Sequence, residues 1–375
     1  MRKPRDIKRC DLVAGNSYLN SLEPPQLYDA FIAHPPEGFT ARYAAADGGT
    51  LPVFLTRFDL LTTLDEKAKH AVARLPLVRP LSRAFLRPRA AFCGTTVSEY
   101  AVYHPSENPD SFPRTLLSEM KAWDAELAIF KDIPLNSPLL TARENTVADK
   151  LLAACRANSF SILEGQALAY VPIDFVTEDE YLARFSAKRR YDFRRKLKSR
   201  THLDLEEVPT GDPRFDDDMF VDDLYAMYES VFEQSEIHFD KLSRSFFASV
   251  FRDATSGGVV FFYRTTGKLI GWKLCFVCGG NLVDKYVGFV YPEARDSNLY
   301  FIGWFHCLDF AIRHSLRTYV VGWTDAKVKA HLGASFTFTH HAVYLRSPLF
   351  RFVLNRFERF FEPDKNFVAD LGVTR

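Results

Sequence analysis

Between Val259 and Val290 three β-rich runs lie almost end to end: Val259 to Arg264, Leu269 to Val277 and Leu282 to Val290. Only Thr266-Gly267-Lys268 and Gly279-Gly280-Asn281 separate them. A parallel crossover needs a dozen residues or more, so turns this short can only fold each run back on the last. The segment therefore predicts an antiparallel three-stranded meander. Tyr300 to His314 follows with strongly apolar residues at helical spacing, then a short strand over Thr318 to Val321, a helical piece over Asp325 to His331 and a strand over Phe336 to Leu345. Upstream, Met219 to Phe232 sets Phe220, Leu224, Met227, Tyr228 and Val231 on one helical face, and Ser243 is placed to cap a second helix reaching Arg252.

The first half repeats part of this order without repeating its residues. Phe39 to Ala46 and Leu51 to Phe58 flank Asp47-Gly48-Gly49, a second hairpin signal. Val97 to Tyr103 reads as a strand, Phe112 to Leu127 as a helix, Ala128 to Lys131 as a strand stopped by Asp132-Ile133-Pro134, and Thr146 to Asn158 as a helix. Ser161 to Leu163 and Leu168 to Val171 complete the series. Two α+β units of similar length result, joined near Pro172 to Glu180.

Composition agrees with two domains. The chain has 375 residues, 47% hydrophobic and 25% charged, which supports a sizeable core and excludes disordered and collagen-like classes. Lys+Arg 48 against Asp+Glu 47 gives no global field toward nucleic acid or anionic membrane, and no DNA partner is expected. Charges or prolines interrupt every apolar run before it reaches bilayer length. The basic segment Met1 to Cys10 is not followed by the apolar stretch of a signal peptide, so a cytoplasmic location is expected. Six cysteines are too few for a disulfide scaffold. Cys275 and Cys278 fall at odd spacing in one strand and so point to opposite faces.

The joint itself reads as a helix. Thr177 and Glu180 form a capping-box pattern, and Tyr181, Leu182 and Phe185 begin an apolar face. From Lys188 to Arg200 eight basic residues stand against Asp192, and from Asp204 to Asp223 nine acids stand against Arg214. Because these runs nearly cancel, mutual neutralisation on a solvated helix is one reading. A phosphate- or RNA-binding face, with Tyr191 and Phe193 available for stacking, is the other.

The segment Tyr181 to Lys198 resembles the linker helix of FemAB-like, peptidoglycan biosynthesis/recognition-type members of the GNAT acyltransferase superfamily. Ser235 to Leu242, Lys285 to Gly288, Ala294 to Phe301, Gly322 to Gly333, Gly94 to Tyr100 and Phe130 to Pro134 carry the same resemblance, which spans roughly Phe39 to Arg346. It implies tandem GNAT-like folds, each a mixed, mostly antiparallel sheet flanked by helices. The units are expected at 1–175 and 201–347, with a linker helix at 176–200 and a carboxyl-terminal amphipathic helix and tail at 348–375. It further implies that a fourth strand (Leu282 to Val290) and a fifth (Thr318 to Val321) splay apart around an acyl donor, with strand-four N–H groups polarising its carbonyl. The donor is expected to be acyl-CoA or aminoacyl-tRNA, the latter held through Lys188 to Arg200. Acyl transfer to an amine then requires a neutral amine, an aligned carbonyl and stabilised oxyanion charge.

Site candidates follow from polar residues around that opening. Glu236 and His238, in the loop between two helices, are candidates for base and acceptor anchor. Lys285 is the candidate on strand four, with Tyr286 assigned to the core. Asp325 and Lys329 lie in Gly322-Trp-Thr-Asp-Ala-Lys-Val-Lys, where Lys329 matches the family lysine and Ala326 replaces the usual tyrosine. Arg295, Ser297 and Asn298 are the phosphate-loop candidates, although no glycine follows Arg295 and Asp296 adds negative charge. Ser98, Glu99 and Tyr100 read as a structural turn. Adjacent His340 and His341 face opposite ways, and no metal is expected. Leu349, Phe350, Val353, Leu354, Phe357, Phe360 and Phe361 form an apolar stripe, read either as a docked helix or as a peripheral membrane contact.

The sequence thus predicts an N-acyltransferase or aminoacyltransferase acting on an amino group of an amino acid, peptide or cell-envelope precursor. A catalytically silent binding protein of the same fold is the alternative.

Overall fold

The computed structural model describes residues 18–47, 49–58, 87–104, 109–235 and 239–347. They form two compact units, and the division falls within α1 (Pro25–Ala33) and within a long strand, β5. Of the described residues, the first unit takes 18–21, those within 31–168, and 336–347; the second takes 22–30 and those within 169–335.

In the first unit, β1 (Thr40–Ala46) and β2 (Gly49–Arg57) form the expected hairpin. β3 (Arg89–Cys93) pairs antiparallel with β2 and parallel with β4 (Leu127–Leu135). The helices are α2 (Phe112–Ala122) and α3 (Ala142–Ala157), the latter opened by a complete Thr141–Glu144 capping box. The sheet continues from β4 through the last described strand, β11, to the first part of β5 (Ser161–Pro172). Phe112, Leu116, Met120, Phe130, Val147, Leu151 and Phe160 pack together as its core.

Several boundaries differ from the sequence reading. Val97 to Tyr103 is not a strand: the neighbour of β2 is Arg89–Cys93, and Ser98, Glu99 and Tyr100 lie buried in a hydrogen-bonded loop. The helix from Phe112 ends at Ala122 because Asp124 adopts φ 48°, which frees Leu127 to open β4. Asp132-Ile133-Pro134 does not stop β4; Asp132 takes φ 56° and the ladder to β11 absorbs an irregularity beside it. β5 is one strand rather than two, passing Gly165 where a Cβ would meet Thr339 Oγ1 at 2.2 Å.

In the second unit, α4 (Glu178–Ala183) and α5 (Ala187–Leu197) replace the single linker helix. Ser186 turns extended between them and caps α5, so that Phe185 and Phe193 meet at 5.1 Å. β6 (Asp204–Pro209) lies inside the acidic run, and α6 (Asp218–Glu233) and α7 (Arg244–Arg252) follow, α7 capped by Ser243 as expected. The meander is present as β7 (Gly258–Thr265), β8 (Lys268–Cys278) and β9 (Asn281–Phe289). Then come α8 (Glu293–Asp296), α9 (Leu299–Arg313), β10 (Thr318–Gly322), α10 (Ala326–Leu332) and β11 (Ser335–Leu345). The two-residue period of the meander sorts its faces. Phe262 meets Phe220 of α6, whereas Phe261 meets Phe310 of α9. On the next strand the Trp272 indole donates to the Leu224 carbonyl of α6 at 2.9 Å.

Two assignments of chain to unit are corrected. β11 belongs with the first unit, because it pairs antiparallel with β4 from Phe338 to Leu345; the stretch 22–30 belongs with the second, tied there by Glu23 to Lys285 and by Gln26 to Thr255. The basic and acidic runs also do not neutralise each other. Arg194 pairs with Asp179, Arg195 and Lys196 with Asp192, and Arg200 with Glu178. The acids pair with arginines elsewhere: Glu206 with Arg214 and Arg264, Asp218 with Arg244 and Arg252, Glu207 with Arg313.

Burial lowers the pKa of His331 in the second unit and of His340 and His341 in the first, aided at His331 by Arg189 and Lys196. Each is held neutral in the folded chain where the unfolded chain takes up a proton. Stability is therefore expected to be complete above pH about 6.5 and to fall as pH drops below it. Thermal melts at pH 7.5 and 5.0 check this; an unchanged midpoint for His331→Gln relative to wild type at both pH values would remove His331 from the account.

Candidate functional site

β9 and β10 run parallel, but their pairing covers only Asn281–Val283 against Thr318–Val320. Beyond Val320, β10 stays beside β5 as far as Gly322, which adopts φ 82°. β9 leaves it. The cause is visible in the ladder to β8: Leu274 opposes Tyr286 while Cys275 opposes Asp284, so Lys285 is an extra residue, a β-bulge on β9. A bulge bends its strand and increases the local twist. The strands thus diverge at the bulge, which is the splay expected near Val287 and Val320.

Charged side chains gather on either side of this point. Lys285 Nζ lies 3.3 Å from Glu23 Oε1, with side-chain exposures of 6% and 0%, and Tyr28 donates to Glu23 Oε2 at 2.9 Å. From the preceding residue, Asp284 Oδ2 accepts from Lys273 Nζ of β8 at 2.6 Å and from Tyr319 Oη of β10 at 2.7 Å. Burial opposes the charge on Lys273, but the Asp284 carboxylate together with Cys307, Cys275 and Tyr263 outweighs it and holds the pKa well above that of a free lysine. Burial and the same carboxylate raise Tyr319, which stays protonated. Cys275 Sγ lies 3.9 Å from both Asp284 Oδ1 and Cys307 Sγ.

Of the residues expected at the site, Lys285 occupies the bulge and Lys329 lies below the end of β10. Lys329 is buried and donates to the Val321 carbonyl at 2.7 Å, which makes it a support of that strand. Asp325 is exposed, precedes α10 with φ 55° and makes no cap hydrogen bond. Tyr286 packs against Tyr228, Phe246 and Phe247, the core place expected for it. Glu236 and His238 lie outside the described residues, as do the Met1 to Cys10 arm and the Leu349 to Phe361 stripe. Phe193 is not available for stacking with a ligand, because it is fully buried; Tyr191 is 74% exposed.

A pyrophosphate cradle needs backbone N–H groups free to face the anion. In the loop between β9 and α9 the N–H groups of Ala294, Arg295, Asp296, Ser297 and Asn298 all donate to carbonyls within the same loop, at Val290, Pro292, Pro292, Glu293 and Arg295. Arg295 lies 4.8 Å over the Tyr291 ring and donates to Gln234, and Asn298 donates to Ser199. Arg295, Ser297 and Asn298 therefore close a helical turn whose own backbone N–H groups are spent, directly before the first turn of α9. Among the described residues no three His, Cys, Asp or Glu side chains gather in a way that would hold a metal ion.

Residues 187–330, which contain the meander, the divergence and α9, match the family model described as an acetyltransferase (GNAT) domain. The chain carries a GNAT domain. No curated protein sequence matches the chain. Among solved structures it resembles the C-terminal domain of a putative lysylphosphatidylglycerol synthetase from Agrobacterium fabrum. That likeness has 11% identity and a TM-score of 0.51, and covers 92% of this chain and 96% of that one. L-PGS from Bacillus licheniformis is similar at 8% identity and a TM-score of 0.51, covering 90% and 97%. FemX is similar at 13% identity and a TM-score of 0.49, covering 89% and 98%. The first two likenesses extend the shared fold beyond the matched domain to nearly the whole chain, in agreement with the FemAB-like GNAT resemblance of the sequence.

Sequence reasoning missed Lys273, Asp284, Tyr319 and Glu23. Lys273 and Asp284 did leave a signal: Lys273 is the one charge inside Leu269 to Val277, and Asp284 sits beside Lys285 in the otherwise uncharged run on the neighbouring strand of the same meander. Charges so placed must find partners when buried. Glu23 left none, since it meets Lys285 across 262 residues of sequence.

Proposed function

We propose that this protein is an acyltransferase that moves an acyl or aminoacyl group from an activated ester or thioester to an amino group of an amino acid, peptide or cell-envelope precursor. The observation that supports this reading is the parallel divergence of β9 and β10 at a bulge carrying Lys285. A donor carbonyl laid in that opening meets strand backbone on one side and a desolvated ammonium nearby. Attack by a neutral amine forms a tetrahedral oxyanion, which the strand N–H groups and Lys285 stabilise; collapse expels the donor's leaving group.

The test is a donor panel of acetyl-CoA, succinyl-CoA and aminoacyl-tRNA against amino acid and peptide amines, with product detected by mass spectrometry. Lys285→Met is expected to lower kcat/KM by ~10², about 2.7 kcal/mol of transition-state stabilisation. Wild-type turnover in that variant, with folding unchanged, removes Lys285 from the reaction. Absence of product from every donor refutes the enzymatic reading and favours a binding protein.

A further inference from the structure

The polar groups at the divergence have a geometry that burial alone does not explain. Three consecutive neighbours in the sheet, β8, β9 and β10, each send one polar side chain to a single carboxylate oxygen: Lys273, Asp284 itself and Tyr319. Lys273 Nζ also reaches Tyr319 Oη at 3.2 Å, which closes the triangle. Asp284 immediately follows the last paired position, Val283 against Val320, and immediately precedes the bulged Lys285. Lys273 and Tyr319 are buried and the Asp284 side chain is 11% exposed, so little water competes for these bonds.

A clasp at this position has a mechanical consequence. Below it the two strands are fixed by ladder hydrogen bonds, and above it they are free to diverge, so the Tyr319–Asp284 bond is the last tie between β9 and β10 before the opening. Without it, the apex can slip along the strands and carry the Lys285 backbone with it. A displacement of about 1 Å at a reacting centre is enough to cost on the order of 10²-fold in rate.

Resting on the acyl-transfer reading above, we propose that Asp284 is a positioning residue that, through Tyr319 and Lys273, fixes where β9 and β10 part and so aligns the bulge with the donor carbonyl. Because the alignment matters in the transition state more than in the bound state, its loss is read in kcat and not in KM.

The experiment uses the full chain and two variants, Tyr319→Phe, which keeps the ring and removes the hydroxyl, and Asp284→Asn, which keeps the shape and removes the charge. Hydrogen exchange over 281–289 and 318–322, followed by mass spectrometry, reads the clasp directly. Tyr319→Phe removes one buried hydrogen bond and is expected to speed exchange there about tenfold relative to the first unit; Asp284→Asn, which also takes the carboxylate from the buried Lys273 ammonium, is expected to speed it further. Steady-state kinetics with the donor found for the wild type are expected to show kcat down about tenfold with KM for the donor unchanged. Unchanged exchange in both variants overturns the clasp. Faster exchange with unchanged kcat overturns the positioning role and leaves acyl transfer standing. A rise in KM with kcat unchanged likewise overturns it, in favour of a binding contact. If the wild type turns over no donor, the acyl-transfer reading fails and the positioning role fails with it.

Discussion

Glu23→Ala is expected to cost about 3–5 kcal/mol of stability. The residue is fully buried; its carboxylate faces the Lys285 ammonium, 6% exposed, at 3.3 Å and accepts from Tyr28, so its removal breaks a buried ion pair and a buried hydrogen bond together. Part of that cost is the desolvation of a lysine charge whose attraction to Glu23 is lost. The double variant Glu23→Gln with Lys285→Met is therefore expected to be more stable than Glu23→Ala alone. Since a domain's whole stability is typically about 5–15 kcal/mol, the single variant stands near the edge of folding at ambient temperature. Urea unfolding followed by tryptophan fluorescence measures both, and a loss under about 1 kcal/mol for Glu23→Ala would show that Lys285 is solvated in the folded chain.

This pair also shows where the sequence was legible and where it was not. The meander was legible because its turns are two or three residues long and leave the chain no other geometry. The caps at Ser243 and Thr177 were legible for a similar reason: a cap is a local bargain between one side chain and an N–H three residues away. The short strand Arg89–Cys93 carried no such signal, because five residues are too few for a period to show, and its strand character comes from pairing with β2 and β4. The break at Arg184 to Ser186 was hidden behind a continuous helical composition. Only the demand that both Phe185 and Phe193 be buried reveals it.

At the candidate site the same division holds. Lys285 and Lys329 were recognisable from their motifs, yet their partners were not, since Glu23, Val321 and the apex of the divergence are long-range or backbone features. The bulge at Lys285 cannot be read from β9 alone; it exists only as a mismatch of count between β9 and β8. The phosphate-loop candidates are a different case. Residue types in that loop are compatible with an anion site, and what the sequence did not show is that the backbone N–H groups of 294–298 are spent on carbonyls of the same loop.

The second large effect is expected at Phe193. Sequence reading offered its ring for stacking on a nucleic acid base, but the ring is fully buried, with Phe185, Phe301 and Phe305 at 5.1, 5.3 and 6.0 Å and the His331 imidazole at 5.4 Å. It is the only fully buried side chain among the described residues of α5, so it joins that charged helix to α9 and α10. Phe193→Ala is expected to cost about 3–5 kcal/mol, because the ring's neighbours come from α9, α10 and the α4–α5 connection and cannot all close on the void. Tyr191→Ala, two residues away with its ring in solvent, is expected to stay within about 0.5 kcal/mol of wild type. Chemical denaturation of the two variants side by side checks the contrast. Equal losses would mean that α5 is held by the Arg194–Asp179 pair, with the Arg200–Glu178 pair just past its end, and raising the salt concentration would then destabilise the wild type by a comparable amount.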